Sequence, residues 1–142
     1  MLMQPPWFPV RFDQTEATTH FDDLDDTTIH VGDLEVRHES LHRPSGVTVY
    51  RLALEGKVVV LATDVESVPW SDERLIDLAE GADVLIYDAQ YFPDEYHAAE
   101  VGRLVLTSHD PNRTAKGVDE IVATANDHVP TVGASVGLRI EA

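Results

Sequence analysis

With 142 residues and 43% hydrophobic content, the chain can fill one compact core, so a single domain over residues 1–142 is expected. The net charge of −16, from 26 acidic against 10 basic residues, argues against nucleic acid as a partner, because affinity for a phosphate backbone rests on Lys and Arg. The lack of cysteine excludes a disulfide framework, a thiolate zinc site and a cysteine nucleophile, and leaves His, Asp and Glu to hold any metal.

No stretch approaches the roughly 18 apolar residues of a membrane span, and "MLMQPPWFPV" lacks the basic start and long apolar run of a signal peptide. A cytoplasmic protein without a membrane partner is the expectation. Lys57 and Lys116 are the only lysines, and acidic clusters such as "FDDLDD" recur along the chain. That pattern suits a solvated acidic coat in high salt, where counterions screen self-repulsion, so a halophilic source is expected; an ordinary acidic protein is the alternative.

In chain order, "PPWFP" reads as a terminal tuck against a sheet. "TIHVGDLEVRH" then alternates apolar and polar residues around Gly32-Asp33 and predicts a hairpin. "VTVYRLALEGKVVVLAT" predicts a longer hairpin turning at Glu55-Gly56-Lys57. In its first arm Val47, Val49, Arg51 and Ala53 share one face, and Thr48, Tyr50, Leu52 and Leu54 share the other. Its second arm is continuously apolar from Val58 to Ala62 and should lie deeper.

A helix follows, with Ser71 as cap, Leu75, Ile76, Leu78 and Ala79 as apolar stripe, and Gly81 as stop. "DVLIYD" is a buried strand, "AQYFPDEYHAAEVG" a loop or short helix, and "RLVLTS" another buried strand running to His109. Val118, Ile121, Val122 and Ala125 mark a helix ending near Asp127, and the alternating "VGLRIEA" predicts a closing strand. Hairpins followed by strand-helix units give an α+β sandwich, a mixed sheet with helices on one side.

Three apolar strands thus leave the core on metal-ligand-type residues: Asp64 after "VVVLAT", Asp88 in "VLIYDAQ" and His109 in "LVLTSHDP". Strand ends of mixed α/β sheets are where loops converge over a rigid scaffold. Carboxylate oxygen and imidazole nitrogen suit zinc, manganese or iron, and a cation held there lowers the pKa of bound water for hydrolysis. His42, in the loop "ESLHRPSG", is a fourth candidate ligand. The competing reading is that an Asp at a strand end caps the next turn. His20, His30, His38, His97 and His128 have no convergent context and read as surface or packing residues. Ser108 beside His109 lacks a nucleophile-elbow context, and no phosphate-loop, dinucleotide or H-E-x-x-H string occurs. No catalytic residue is assigned.

The strings "HVGDLEVRHESLHRPSGVTVYRLALEGKVVVLATDVE", "GADVLIYDAQYFPDEY" and "RLVLTSHDPNRT" resemble the later half of metallo-β-lactamase-fold hydrolases, especially the phosphodiesterase-like branch. The resemblance implies that Asp64 bridges two metal ions, zinc or manganese, that His109 binds one of them, and that Asp88 supports the site. The family's H-x-H-x-D-H motif is absent from these residues. Arg43 stands where the family places a histidine before the proline, with His42 displaced by one. The "GHS"-like segment is missing as well. The implied site is therefore incomplete, with His42 a third ligand if its loop bends inward. Phosphodiester or ester hydrolysis would follow if a partner subunit completes it; a non-catalytic binding or assembly module, or a truncated product, is the alternative. A lone half would also expose an apolar sheet face, so a homodimer, or a complex with a chain supplying the missing half, is expected.

Overall fold

The structure, a computed structural model, describes residues 14, 18, 28–89, 100–108 and 112–140. The terminal "PPWFP", most of the loop after Ala89, His20, His97 and His109 lie outside the described residues.

Seven strands form one sheet in chain order: β1 (Thr28–Val31), β2 (Leu34–Leu41), β3 (Val47–Leu54), β4 (Lys57–Ala62), β5 (Val84–Asp88), β6 (Leu104–Thr107) and β7 (Thr131–Gly133). The first three pairings are antiparallel and the last three parallel. Helix α1 (Pro69–Ala79) connects β4 to β5, and α2 (Ala115–Asn126) connects β6 to β7. The α+β class and the mixed sheet with helices on one side are as the sequence predicts.

Both predicted hairpins form. Val31 pairs with Leu34 across Gly32-Asp33, and Leu54 pairs with Lys57 across Glu55-Gly56. Glu55 and Gly56 both take positive φ, 51° and 76°, the combination that matches a two-residue turn to the right-handed twist of the strands. Register then settles which face each residue meets. Val60, Leu85 and Leu104 line up across the sheet, with Val49 on the same face two residues from Arg51, the partner of Val60; this is the face covered by Leu75, Leu78 and Ala79 of α1 and by Ala125 of α2. Each fully buried Leu or Val there contributes about 2 kcal/mol of hydrophobic stabilisation.

The opposite face carries Val36, Tyr50, Leu52, Val59, Leu61, Ile86 and Val105, and both described helices lie away from it. The second hairpin arm is accordingly not uniformly deep. Val60 and Ala62 are buried under α1, while Leu61 on the other face is 38% exposed.

Two expectations are corrected. Ser71 does not cap α1: Val68 is the N-cap, Pro69 opens the helix with its fixed φ, and Ser71 is buried, its hydroxyl accepting the His42 N–H. The described part of "VGLRIEA", residues 136–140, does not form the last strand. β7 is the short "TVG" before it, and Val136 is fully exposed in a turn. Helix α2 starts where Thr114 caps it, its hydroxyl accepting from Gly117 N–H at 3.2 Å.

Candidate functional site

Because β4, β5 and β6 run parallel, their C-terminal ends share one edge of the sheet, and the β2–β3 turn reaches that edge from the antiparallel side. One backbone bond holds the turn there and another closes it. His42 C=O accepts the Glu66 N–H at 3.0 Å, and Arg43 C=O accepts the Gly46 N–H at 2.9 Å. The start of α1 is tied in through the Ser71 hydroxyl.

Asp64 leaves β4 with φ +65°, a left-handed conformation that Asp tolerates better than most residues. Ser108, leaving β6, also takes positive φ, 51°. Between these two bends sits Asp88, 3% exposed at the end of β5. Its Oδ2 accepts the Asp64 N–H, so one buried carboxylate fixes the neighbouring exit in its strained turn. Burial pushes the Asp88 carboxyl above its ordinary pKa, offset by hydrogen bonds from the Ser108 side chain and the Asp64 N–H; the Asp64 charge raises it further and the Arg43 charge lowers it.

The Asp64 carboxylate points outward and pairs with Arg43, Nη1 to Oδ1 at 2.9 Å, with side chains 39% and 59% exposed. His42 has other company. Its Nε2 is 3.9 Å from Glu66 Oε2, and its ring meets Trp70 edge-on with centroids 6.0 Å apart. Of the four candidate ligands, then, Asp64 and Asp88 come together, His42 sits beside them with its imidazole against Glu66 and Trp70, and His109 lies outside the described residues. Among the described residues no group of three or more His, Asp or Glu is placed to hold a metal ion. The donor set described does not fit a divalent cation, because the Asp64 and Asp88 carboxylates come together without a third His, Asp or Glu donor among the described residues.

Sequence reasoning missed two participants. The resemblance set Arg43 at the family's histidine position, but its pairing with Asp64 had no signal; Ser108 was weighed only as a nucleophile, since its bond to Asp88 depends on a positive φ that sequence does not specify.

No protein-family model and no curated protein matches the sequence. Solved structures do. The metallo-β-lactamase fold protein YhfI of Bacillus subtilis superposes with a TM-score of 0.65 at 17% identity, over 80% of this chain and 52% of that one. A Thermotoga maritima protein, assigned to the Zn-dependent hydrolases of the metallo-β-lactamase superfamily, gives 0.48 at 14% identity over 68% and 54% of the two chains, too distant to add weight. The fold is thus a metallo-β-lactamase fold in part, and the chain spans about half the length of the solved structures it matches. No described helix is long and apolar enough to cross a membrane.

Proposed function

We propose that the chain is a metallo-β-lactamase-fold protein of metal-dependent hydrolase descent whose metal site is incomplete within these residues. The observation that carries this is the arrangement at the strand exits. Buried Asp88 still holds the Asp64 backbone in its left-handed turn, yet His42 faces Glu66 and Trp70. Such a scaffold positions carboxylates without supplying the three protein ligands that hydrolytic zinc sites keep.

A partner chain, a second copy or one bearing the missing half, would supply the remaining donors. Zinc or manganese bound there would acidify water and polarise a phosphodiester or similar ester.

The test is metal analysis and bis-p-nitrophenyl phosphate hydrolysis on the purified chain in high salt, after chelation and zinc or manganese return, with light scattering on the same sample. The expected result is less than one tightly held metal per chain and no turnover from the monomer, with metal and turnover gained only in an assembly that brings in a second chain. A monomer that holds stoichiometric metal, loses it in Asp64→Asn and His109→Ala, and turns over the diester would overturn the reading. A chain that takes no metal in any assembly state removes the hydrolase and leaves the non-catalytic module.

A further inference from the structure

We infer that Arg43 is this chain's own cation at the strand-exit site, and that it competes with any divalent ion for the Asp64 carboxylate. The inference deepens the incomplete-site reading: it names the residue that keeps metal off Asp64.

The argument starts from backbone. The turn carrying Arg43 is fixed at successive carbonyls, His42 to Glu66 N–H and Arg43 to Gly46 N–H, and His42 N–H is bound to the buried Ser71 hydroxyl. Arg43 therefore leaves a pinned stretch of chain, so its side chain starts from a fixed point beside Asp64. Asp64 is pinned as well, through its N–H on Asp88. Two fixed backbones bring guanidinium and carboxylate to 2.9 Å.

Charge explains why a cation belongs there. Asp64 and Asp88 stand at adjacent exits, their groups linked through one N–H, with Glu66 two residues further on. In a chain of net charge −16 such a cluster needs compensation, and among the ion pairs of the described residues Arg43 is the cation that reaches Asp64. A metal ion approaching Asp64 must displace the guanidinium and then meet its repulsion nearby.

The pair is also exchangeable. Both side chains are partly exposed, and pairs of that kind are worth little in water. The guanidinium can swing away without unfolding the exit, because Asp88 rather than Arg43 holds the Asp64 backbone. Arg43 is a displaceable counter-charge, and a partner offering a carboxylate to it would free Asp64.

The test uses manganese titration of the full chain in high salt, read by paramagnetic broadening of amide resonances near Asp64, with circular dichroism to verify folding. Variants are Arg43→Gln, Arg43→Lys, Arg43→His and Arg43→Gln with Asp64→Asn. Arg43→Gln is expected to bind manganese about two- to fivefold more tightly than wild type, the change expected from releasing a part-exposed ion pair. Arg43→Lys should stay close to wild type, Arg43→His should bind at least as tightly as Arg43→Gln, and the double variant should lose the gain. Folded Arg43→Gln and Arg43→His that bind no better than wild type overturn the role of Arg43 and leave the incomplete-site reading standing. Wild type that binds tightly through Asp64, with Arg43→Gln tighter still, overturns the incomplete site and supports the competition.

Discussion

Replacing Asp64 separates backbone strain from side-chain chemistry. At φ +65° an alanine pays about 1–2 kcal/mol for placing its Cβ against the carbonyl, while Asp visits this region more readily. The ion pair lost with the carboxylate is partly exposed, so it adds only about 0.5 kcal/mol. Asp64→Ala should therefore destabilise the fold by about 1.5–2.5 kcal/mol in total. Asp64→Gly relieves the strain but loses more chain entropy on folding, about 0.5–1 kcal/mol, so it should be about 0.5–1 kcal/mol more stable than Asp64→Ala. Asp64→Asn, which accepts the left-handed region and keeps the shape, should lie within about 0.5 kcal/mol of wild type. Urea unfolding of the four proteins at fixed high salt reads these differences directly. An alanine variant as stable as the glycine variant would refute the strain argument. If the order holds, metal loss in Asp64→Ala is confounded by a distorted exit, and Asp64→Asn is the clean probe of the carboxylate.

Asp88, raised above the ordinary 3.8 chiefly by burial, stabilises the fold in its protonated form. That contribution is complete below the ordinary value and is lost as pH rises through the raised one, so Asp88→Asn should flatten the fall in melting temperature across that window; an unchanged slope would contradict the burial argument. Asp83 behaves oppositely, lowered first by the Val58 N–H at 2.8 Å and then by Lys57. Its stabilisation is present above 3.8 and lost as pH falls through the lowered value, so Asp83→Asn should unfold more easily at neutral pH yet match wild type in strong acid. Gly102→Ala would place a Cβ 2.9 Å from the Asp83 carbonyl oxygen and should cost about 1–3 kcal/mol in urea unfolding. At Gly133 the nearest atom is the Val122 side chain at 3.4 Å, and Gly133→Ala should be tolerated with a change below about 1 kcal/mol.

The fold was legible where local chemistry and long-range packing agree. Glu55-Gly56 fixes the second hairpin because a two-residue turn there needs positive φ, and the faces of β3 follow from strict alternation. Val118, Ile121 and Val122 fall at helical spacing, and α2 packs on that side, with Val118 and Val122 against Gly133. Legibility failed where one signal stood alone. β7 has three residues, too few to alternate, and is recruited by parallel pairing with β6. The alternating run after it finds no neighbour to pair with among the described residues and stays out of the sheet. Ser71 has the chemistry of a cap, but Pro69 sets the helix start two residues earlier and leaves the hydroxyl for the β2–β3 turn.

The candidate site follows the same logic. Strand exits are readable because an apolar run must stop somewhere, and Asp64 and Asp88 were found that way; what their carboxylates do depends on partners distant in sequence. Asp88 was expected to support a metal ligand, and what it supports is a backbone N–H, a role any buried acceptor of that shape could fill. Arg43 inverts the chemistry that the exits suggest. A carboxylate at a strand exit attracts a cation of either kind, and a covalently attached guanidinium is present at high effective concentration whatever the metal supply. Metal would win only where more donors converge on it than one carboxylate, and among the described residues the His42 imidazole stands near Glu66 instead. The deciding variable at this site is therefore the number of donors that converge on Asp64, set against the guanidinium that pairs with it among the described residues.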